Sequence, residues 1–291
     1  MSRLLCLVLL LVGCSKSKTE ATPVSKAQIT QFQAVSITGL TAQQQSGFIK
    51  LANDEICPCS NCNQSFAACL QDQKTCKPAV LLAQWIIDRL KENVPLEMMA
   101  SALSQEINSG FSSRPQIIDL EGYNSKGLMS APFTLVEFAD FECLHCKQTA
   151  KSIDEFLKKH PKEVRLVYKH FPLEGHKMAK EASIAAEAAG LQGKFWPMHK
   201  ALFETEQPLS TGQIEVLAKK IQLDLPRFKR DLGNSSVVDK IGNSLQEGQL
   251  LGISGTPALF FNGRPYYLST DMLGLELRLA MEQARSESTC N

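Results

Sequence analysis

A predicted strand, helix and strand near the centre of the chain constrain the fold most strongly. Phe133 to Phe138 is an apolar run that favours a strand. A helix is predicted from Cys143 to about Lys159, and Pro161 ends it. The next predicted strand, Val164 to Phe171, lies far enough downstream for the two strands to pair in parallel. This part of the chain therefore predicts an α/β domain built on a parallel crossover.

Further helices and a hairpin follow this crossover. Apolar residues at helical spacing predict helices at Met178 to Ala189, Phe195 to Phe203, Ile214 to Ile221 and Val237 to Leu251. Two β-rich runs flank the turn Asn262-Gly263 and predict a β-hairpin from Ala258 to Leu268. A last helix is predicted at about Asp271 to Arg285. We expect one domain over residues 116–291, with a helical insertion at about 175–252.

The start of the chain has the features of an export signal. Arg3 precedes the apolar run Leu4 to Val12, which is too short to span a membrane. The ending Leu11-Val12-Gly13-Cys14 resembles the bacterial lipobox, in which the cysteine is acylated and becomes the first residue of the mature protein. The alternative is an ordinary signal peptide with an incidental cysteine. We predict that residues 1–13 are removed and that Cys14 anchors a periplasm-facing lipoprotein in the bacterial cell envelope.

A polar tether and a small cysteine-rich unit are expected upstream of the main domain. Residues 14–46 are rich in Ser, Thr, Gln and Lys, which predicts a mostly flexible tether. Residues 47–111 contain several cysteines and two amphipathic stretches, Leu81 to Leu90 and Leu96 to Ile107. Two short helices bury too little apolar surface to be stable alone. We therefore expect crosslinks among the cysteines, or docking on the main domain, to support this helical unit.

The cysteines fit a protein of an oxidising compartment, where disulfides persist. The chain has ten, and eight remain once Cys6 and Cys14 are assigned to the signal. An odd number, five, lies in the cysteine-rich unit, so they cannot all pair with one another, and Cys290 would complete three pairs. Structural disulfides, a second redox centre that relays electrons, and a metal site are all open alternatives. The five cysteines are Cys57, Cys59, Cys62, Cys69 and Cys76.

The overall charge argues against one class of partner. The chain has 31 basic and 30 acidic side chains. A nearly neutral protein lacks the positive field that attracts nucleic acid. We expect no nucleic-acid partner.

Redox chemistry is predicted at Cys143-Leu144-His145-Cys146, where the central strand gives way to a helix. The positive end of the helix dipole stabilises a thiolate there, and the His145 imidazole can add a donor or a positive charge. Such motifs lower a cysteine pKa to between about 7 and about 3.5. Half of a zinc site and a purely structural disulfide are the alternatives. Thiol chemistry of this kind needs no cofactor or metal, so none is expected.

The motif also carries a family resemblance. The stretch from Glu137 to Cys146, together with Gly255-Thr256-Pro257, resembles the DsbA-like branch of the thioredoxin superfamily. The resemblance implies a thioredoxin-like domain with a helical insertion, in which Cys143 attacks and Cys146 resolves. It also implies that Pro257 has a cis peptide bond, faces the disulfide and, with Thr256, shapes the substrate groove.

Two further features come from this resemblance. Glu137 occupies the position of the family's buried acid and is implied to exchange protons with Cys146. The dipeptide Leu144-His145 stands where the best-known members have Pro-His, so the chain departs from that pattern between its two cysteines. More weakly, the upstream Cys-Pro-Cys start resembles small helical domains of cytochrome c maturation proteins. The remaining histidines are expected to be surface or packing residues: His160, His170, His176 and His199.

These features predict an exported thiol-disulfide oxidoreductase that oxidises substrate thiols through a mixed disulfide. Its expected partners are exported proteins with cysteines, a membrane or periplasmic redox partner, and the membrane itself through the lipid. A reductase or isomerase is one alternative function. A metal-binding or cytochrome maturation module is another.

The anchor is tested by Cys14→Ser. Acylation requires the cysteine thiol, so we expect the variant to leave the membrane fraction while the wild-type protein stays in it. Cys6→Ser, which changes a cysteine inside the expected signal, is the matched control and should fractionate with the membrane. Membrane attachment of Cys14→Ser equal to that of the control would reject the lipoprotein interpretation.

Overall fold

The computed structural model describes residues 32–58, 64–71, 76–111, 114–206 and 208–287. The expected signal and the anchor Cys14 lie outside these residues, as do Cys59, Cys62 and Cys290. No helix in the described ranges is long and apolar enough to cross a membrane.

A mixed five-stranded sheet forms the centre of the protein. The strands are β1 (Asn124–Lys126), β2 (Phe133–Ala139), β3 (Val164–His170), β4 (Ala258–Phe261) and β5 (Arg264–Pro265). Their order across the sheet is β1-β3-β2-β4-β5. β2 and β3 pair in parallel, which confirms the predicted crossover, and the other neighbours pair antiparallel.

The helices surround this sheet. In chain order they are α1 (Ala42–Asp54), α2 (Phe66–Gln71), α3 (Lys77–Lys91), α4 (Leu96–Phe111), α5 (Leu144–Lys159), α6 (Ala179–Gly190), α7 (Phe195–Glu204), α8 (Thr211–Lys220), α9 (Leu225–Asp231), α10 (Ser235–Leu250) and α11 (Met272–Glu287). The helix α5 forms the crossover between β2 and β3, and α6 to α10 form the helical insertion between β3 and β4.

The two faces of β2 have different neighbours. Leu135 belongs to the cluster that includes residues of α5 and α11. Val136 and Phe138 point the other way, into a cluster that Leu245 of α10 joins. Because side chains alternate along a strand, Glu137 shares the face of Leu135. The sequence therefore places this acid beneath the helix that carries the two cysteines.

The predicted hairpin is present with a shorter second strand. Asn262 and Gly263 form the turn with positive φ angles of 45° and 77°. The backbone N–H of Tyr266 still bonds to the sheet, but that of Tyr267 donates to the Glu106 carboxylate on α4 at 2.6 Å. The run expected to continue to Leu268 thus leaves the sheet to contact the upstream helices.

The cysteine-rich unit is held by both of the expected means. A disulfide joins Cys57 to Cys69. The unit also shares one continuous hydrophobic cluster with the main domain, in which Leu82 and Ile86 of α3 pack together with Leu275 of α11. The helix α11 contacts α3 on one side and α5 on another. The upstream unit is therefore part of the same core as the sheet.

The described part of the expected tether is packed. Phe32, Ile37 and Leu40 are buried in the shared cluster. The helix α1 begins at Ala42 because Thr41 and Gln44 form a capping box. The expectation of a flexible tether up to residue 46 therefore differs from the structure, in which apolar side chains dock residues 32–46 on the helices that follow.

A buried ion network fastens α4 to α11. The Arg278 guanidinium is fully buried and donates to the carboxylates of Glu106 at 2.6 Å and Glu282 at 3.1 Å. Glu106 also accepts the Tyr267 N–H. Both carboxylates are buried, and Glu106 depends on this arginine for charge compensation, whereas Glu282 also pairs with Arg285.

Arg278→Ala tests this network. Removal of the arginine leaves the buried Glu106 charge without compensation, and we expect the free energy of unfolding in urea to fall by about 3–5 kcal/mol. The control is Lys229→Ala, which removes an exposed pair with Glu215 and should leave the unfolding midpoint unchanged. Equal midpoints for Arg278→Ala and wild type would show that the network contributes nothing.

Candidate active site

Cys143 occupies the N-cap of α5. The chain leaves β2 at Ala139, turns through a hydrogen bond from the Cys143 N–H to the Asp140 carbonyl at 3.2 Å, and enters the helix at Leu144. The Cys143 backbone is extended, and its sulfur accepts the Cys146 N–H at 3.3 Å. A sulfur thus takes the place that a Ser or Asp oxygen occupies in most caps.

The surroundings of Cys143 favour its thiolate. The hydrogen bond with the Cys146 thiol is the largest cause that lowers the pKa of Cys143, and the pKa reaches about 5 instead of the ordinary 9.0. Burial acts in the opposite direction, while contacts with Thr256 and with the backbone N–H groups of Cys146 and His145 lower the pKa further. Cys143 is therefore mostly ionised at neutral pH.

Cys146 lies deeper and has the opposite tendency. Its exposed fraction is 0%, against 7% for Cys143. Burial raises the pKa of Cys146, and the hydrogen bond to Cys143 raises it further. Both cysteines are free thiols in this structure. The geometry thus gives one acidic sulfur with slight exposure and one fully buried sulfur that holds its proton.

His145 contributes through its backbone. Its side chain is exposed on the first turn of α5. Its backbone N–H is among the groups that lower the pKa of Cys143. The expected contribution of the imidazole remains a prediction.

Glu137 is a fully buried acid beneath the dithiol. Burial is the main cause that raises its pKa from 4.5 to about 8, and the nearby charges of Asp154 and Cys143 raise it further. Neither carboxylate oxygen has a hydrogen-bond partner among the described residues. The charges of Glu137 and Cys146 act on each other, because Glu137 raises the pKa of Cys146. The carboxyl group therefore titrates near neutral pH next to the buried thiol.

The Thr256-Pro257 segment faces Cys143. The peptide bond between these residues is cis. The Cys143 thiol donates to the Thr256 carbonyl at 3.3 Å. The structure thus brings together two segments that lie 113 residues apart in the sequence.

Upstream, three cysteine sulfurs gather away from this site. The sulfurs of Cys57, Cys69 and Cys76 lie within 4.8 Å of one another. Cys57 and Cys69 form a disulfide, and Cys76 is also disulfide-bonded. Disulfide sulfurs are poor metal ligands because metal binding needs thiolates. This arrangement favours a structural role for the described cysteines, although that role stays a prediction.

Sequence reasoning assigned no role to two residues beside the dithiol. Tyr168 is the register partner of Glu137 on β3, is fully buried, and has a hydroxyl without a hydrogen-bond partner in the described structure. Asp140 is fully buried and accepts a hydrogen bond from His176. The position of Asp140 directly after an apolar strand was the available signal, but its partner is a residue far along the chain.

The other histidines, expected to be surface or packing residues, pair with carboxylates or lie among aromatic rings. His160 lies between the carboxylates of Glu163 and Glu276. His170 is buried against Glu187 at 2.9 Å. His199 is buried among aromatic rings, and burial lowers its pKa to about 3.

Sheet order, crossover helix and cysteine placement together define a thioredoxin-type dithiol site. The model of the family described as Thioredoxin matches residues 123–275, more than half of the chain. The chain therefore belongs to the thioredoxin family.

Solved structures share this fold. A thioredoxin-like oxidoreductase from Silicibacter pomeroyi is 26% identical, covers 62% of this chain and 97% of its own, and has a TM-score of 0.52. BdbD from Bacillus subtilis is 23% identical over 58% of this chain and 96% of its own, with a TM-score of 0.52. The thiol-disulfide exchange protein α-DsbA2 from Wolbachia pipientis is 22% identical over 62% and 92%, with a TM-score of 0.51.

Similar sequences also occur in larger proteins. The Na(+)/H(+) antiporter NhaA 1 of Salinispora arenicola is 33% identical over 195 residues, which are 67% of this chain and 30% of the antiporter. The antiporter NhaA 3 of Salinispora tropica is 34% identical over 64% of this chain and 28% of its own length. The matched segment thus spans less than a third of the length of these relatives. The name antiporter belongs to the whole of each of those proteins.

Glu137→Gln tests the charge state of the buried acid. Because the pKa of Glu137 is raised from 4.5 to about 8, the folded protein holds a proton that the unfolded chain releases between these pH values. Relative to Glu137→Gln, the unfolding free energy of the reduced wild-type protein should therefore fall as the pH rises through this window, and then level off. The lowered pKa of Cys143 adds an opposite rise over much of the same range, but both proteins share it, so it cancels in the comparison.

The measurement is urea unfolding of both reduced proteins at several pH values between 4 and 9. Glu155→Gln, a change of an exposed acid on α5, is the control and should follow the wild-type curve. Parallel curves for Glu137→Gln and wild type would contradict the raised pKa.

Proposed function

We propose that this protein oxidises pairs of cysteine thiols in exported proteins, and that a separate redox partner in the envelope regenerates its disulfide. The observation that carries the proposal is the stabilised thiolate of Cys143. A disulfide whose reduced form is stabilised is a stronger oxidant, because stabilising the product of reduction drives electrons toward it.

The size of this effect can be bounded. At pH 7 the stabilisation of the reduced form depends on how far the pKa of Cys143, about 5, lies below the pH. This difference corresponds to at most about 2.7 kcal/mol, or about 60 mV for a two-electron couple. Solvent near the sulfur screens part of this. The bias is therefore oxidising and moderate.

The reaction runs through two exchanges. A substrate thiolate attacks the Cys143 sulfur of the oxidised pair, a mixed disulfide forms, and Cys146 leaves with the electron pair. The second substrate thiolate then attacks the substrate sulfur of the mixed disulfide, forms the substrate disulfide and releases Cys143 as a thiolate. Two electrons pass from the substrate to the protein, and the low pKa of Cys143 makes it the better leaving group in the second step.

Glu137 supplies the proton that the buried thiol needs. Cys146 leaves as a thiolate in an environment that raises its pKa, so it must be protonated. An acid with a pKa of about 8 can give and recover a proton near neutral pH. The position of Glu137 on the strand beneath α5 supports this role.

Substrate contacts are proposed at the edge of Cys143. The Thr256 carbonyl accepts from the Cys143 sulfur only when that sulfur is a protonated thiol. Neither the thiolate nor the disulfide has a thiol hydrogen, so in both states this carbonyl can accept an N–H from an extended substrate segment beside Pro257. The Leu144 side chain, 66% exposed, offers an apolar surface next to the sulfur. Backbone and apolar contacts together suit unfolded substrates of varied sequence.

Location completes the proposal. The apolar run and lipobox-like ending at Cys14 support export and attachment of the protein to the bacterial cell envelope through lipid. The disulfide between Cys57 and Cys69 is stable in such a compartment and is proposed to support the upstream unit.

The direction of transfer is tested by the reduction potential of the Cys143-Cys146 pair in glutathione buffers at pH 7. Thioredoxin, with a pKa of about 7, has a potential of about −270 mV. We expect a value about 30–60 mV higher, because the Cys143 thiolate is more stable. A potential at or below about −270 mV would contradict oxidation and support the reductase alternative.

A trapping experiment in cells separates the roles of the two thiols. Cys146→Ala should accumulate covalent, reductant-sensitive adducts with exported proteins, because one of the two thiols that can open the mixed disulfide is missing. Cys143→Ala is the matched control and should accumulate far fewer. Adducts in equal amounts would overturn the assignment of Cys143 as the attacking sulfur.

A further inference from the structure

The Asp140 carboxylate is fully buried directly after β2 and accepts three hydrogen bonds. One oxygen accepts the Glu142 N–H at 2.7 Å. The other accepts the Leu173 N–H and the Nδ1–H of His176, both at 2.8 Å. Two of these donors lie in the loop that follows β3. The carboxylate therefore joins the approach to the dithiol to a separate loop of the fold.

The backbone of Asp140 contacts both cysteines. Its carbonyl accepts the Cys143 N–H at 3.2 Å. A hydrogen bond to its backbone also lowers the pKa of Cys146, against the larger effect of burial. A displacement of Asp140 would therefore change the surroundings of both sulfurs at once.

A second contact holds the same two segments together. The Glu142 carboxylate accepts the N–H of Met178, just before α6. The Phe171 N–H donates to the Ala139 carbonyl at 2.9 Å. The residues that lead into α5 are thus fixed on the loop after β3 at several points, and His176 is the side chain that donates directly to Asp140.

Other histidine–carboxylate pairs in the described structure serve different places. His160, near the end of α5, contacts Glu163 and Glu276. His170 contacts Glu187 on α6. His176 differs because its partner is the residue whose backbone contacts Cys143 and Cys146. It is also partly open to solvent, with a side-chain exposure of 32%, so its replacement need not disrupt the core.

We propose that Asp140 and His176 are positioning residues for thiol exchange. His176 holds the Asp140 carboxylate in place. Asp140 in turn fixes the backbone before α5, where Cys146 attacks a mixed disulfide at Cys143. This inference rests on the proposed exchange through Cys143 and Cys146. Neither residue exchanges electrons or forms a bond to sulfur. Their effect is to keep the buried thiol in the attacking position.

The test compares His176→Leu with His176→Asn. Asparagine can place its amide N–H near the position of Nδ1 and donate to Asp140, whereas leucine cannot. Cys143 of each protein is loaded with a chromogenic aromatic thiol as a mixed disulfide, and the release of that thiol by Cys146 is followed by absorbance. We expect His176→Leu to release it about tenfold more slowly, as loss of about 1.4 kcal/mol of positioning would produce. His176→Asn should stay within about twofold of wild type.

His160→Leu is the matched control, because it removes a histidine–carboxylate pair at the far end of α5, the helix that begins at the two cysteines. It should lower the urea midpoint without slowing release. Release by His176→Leu at the wild-type rate would overturn the inference. So would equal slowing by His176→Asn and His176→Leu, or equal slowing by His160→Leu, which would indicate a general loss of rigidity.

The experiment distinguishes failure of the proposed exchange from failure of this inference. A wild-type protein that forms the mixed disulfide at Cys143 and never releases the aromatic thiol would overturn the role of Cys146 itself. Normal release by wild type together with any of the three outcomes above would overturn only the positioning role.

Discussion

A sulfur atom at a helix cap is the interaction on which the chemistry of this protein depends. The first turn of a helix has N–H groups without partners inside the helix, and a side-chain acceptor usually satisfies one of them. Here the Cys143 sulfur fills that position. A thiolate accepts hydrogen bonds better than a neutral thiol or a disulfide sulfur. Helix capping and stabilisation of the reduced form are therefore the same interaction, and the redox bias is built into the start of α5.

The buried side of the site works by the opposite principle. Cys146 and Glu137 lie where solvent does not reach, so a charge on either is costly. A negative charge on Glu137 raises the free energy needed to ionise Cys146, and a charge on Cys146 does the same to Glu137. The pair therefore favours states with one negative charge at most, and a proton must move when the disulfide opens or closes. One sulfur is stabilised as an anion and the other as a neutral thiol, although only two residues separate the two cysteines at the start of one helix.

Local patterns predicted most of the elements that frame the site. The parallel crossover, the helix that starts at the cysteines and the hairpin turn all depend on neighbouring residues, and each is present. The strand β1 was missed because Asn124, Ser125 and Lys126 have neither apolar alternation nor β-branched side chains. The helix α1 was missed because its sequence is rich in glutamine, so only its capping box marks the start.

The parts of the site that could not be predicted depend on contacts across the fold. Glu137 and Pro257 were found through a family resemblance, and the two cysteines through their spacing and position. The places of Tyr168 and Asp140 beside the dithiol depend on which residues face them from another strand or loop, and sequence periodicity does not contain that information. Likewise, Phe32, Ile37 and Leu40 follow no helical spacing, and only the surface formed by later helices gives them a place to pack.

The shared core of the upstream helices and the sheet limits how the two groups of cysteines can communicate. The described upstream cysteines belong to the cluster that includes α3 and α11, whereas Cys143 and Cys146 belong to another cluster of the interior. Because α11 packs against both α3 and α5, the upstream unit cannot swing toward the dithiol like an arm while the protein stays folded. Electron transfer between the two groups would need a mobile dithiol carrier that visits each in turn. Its rate would then depend on the concentration of that carrier, as in any bimolecular reaction.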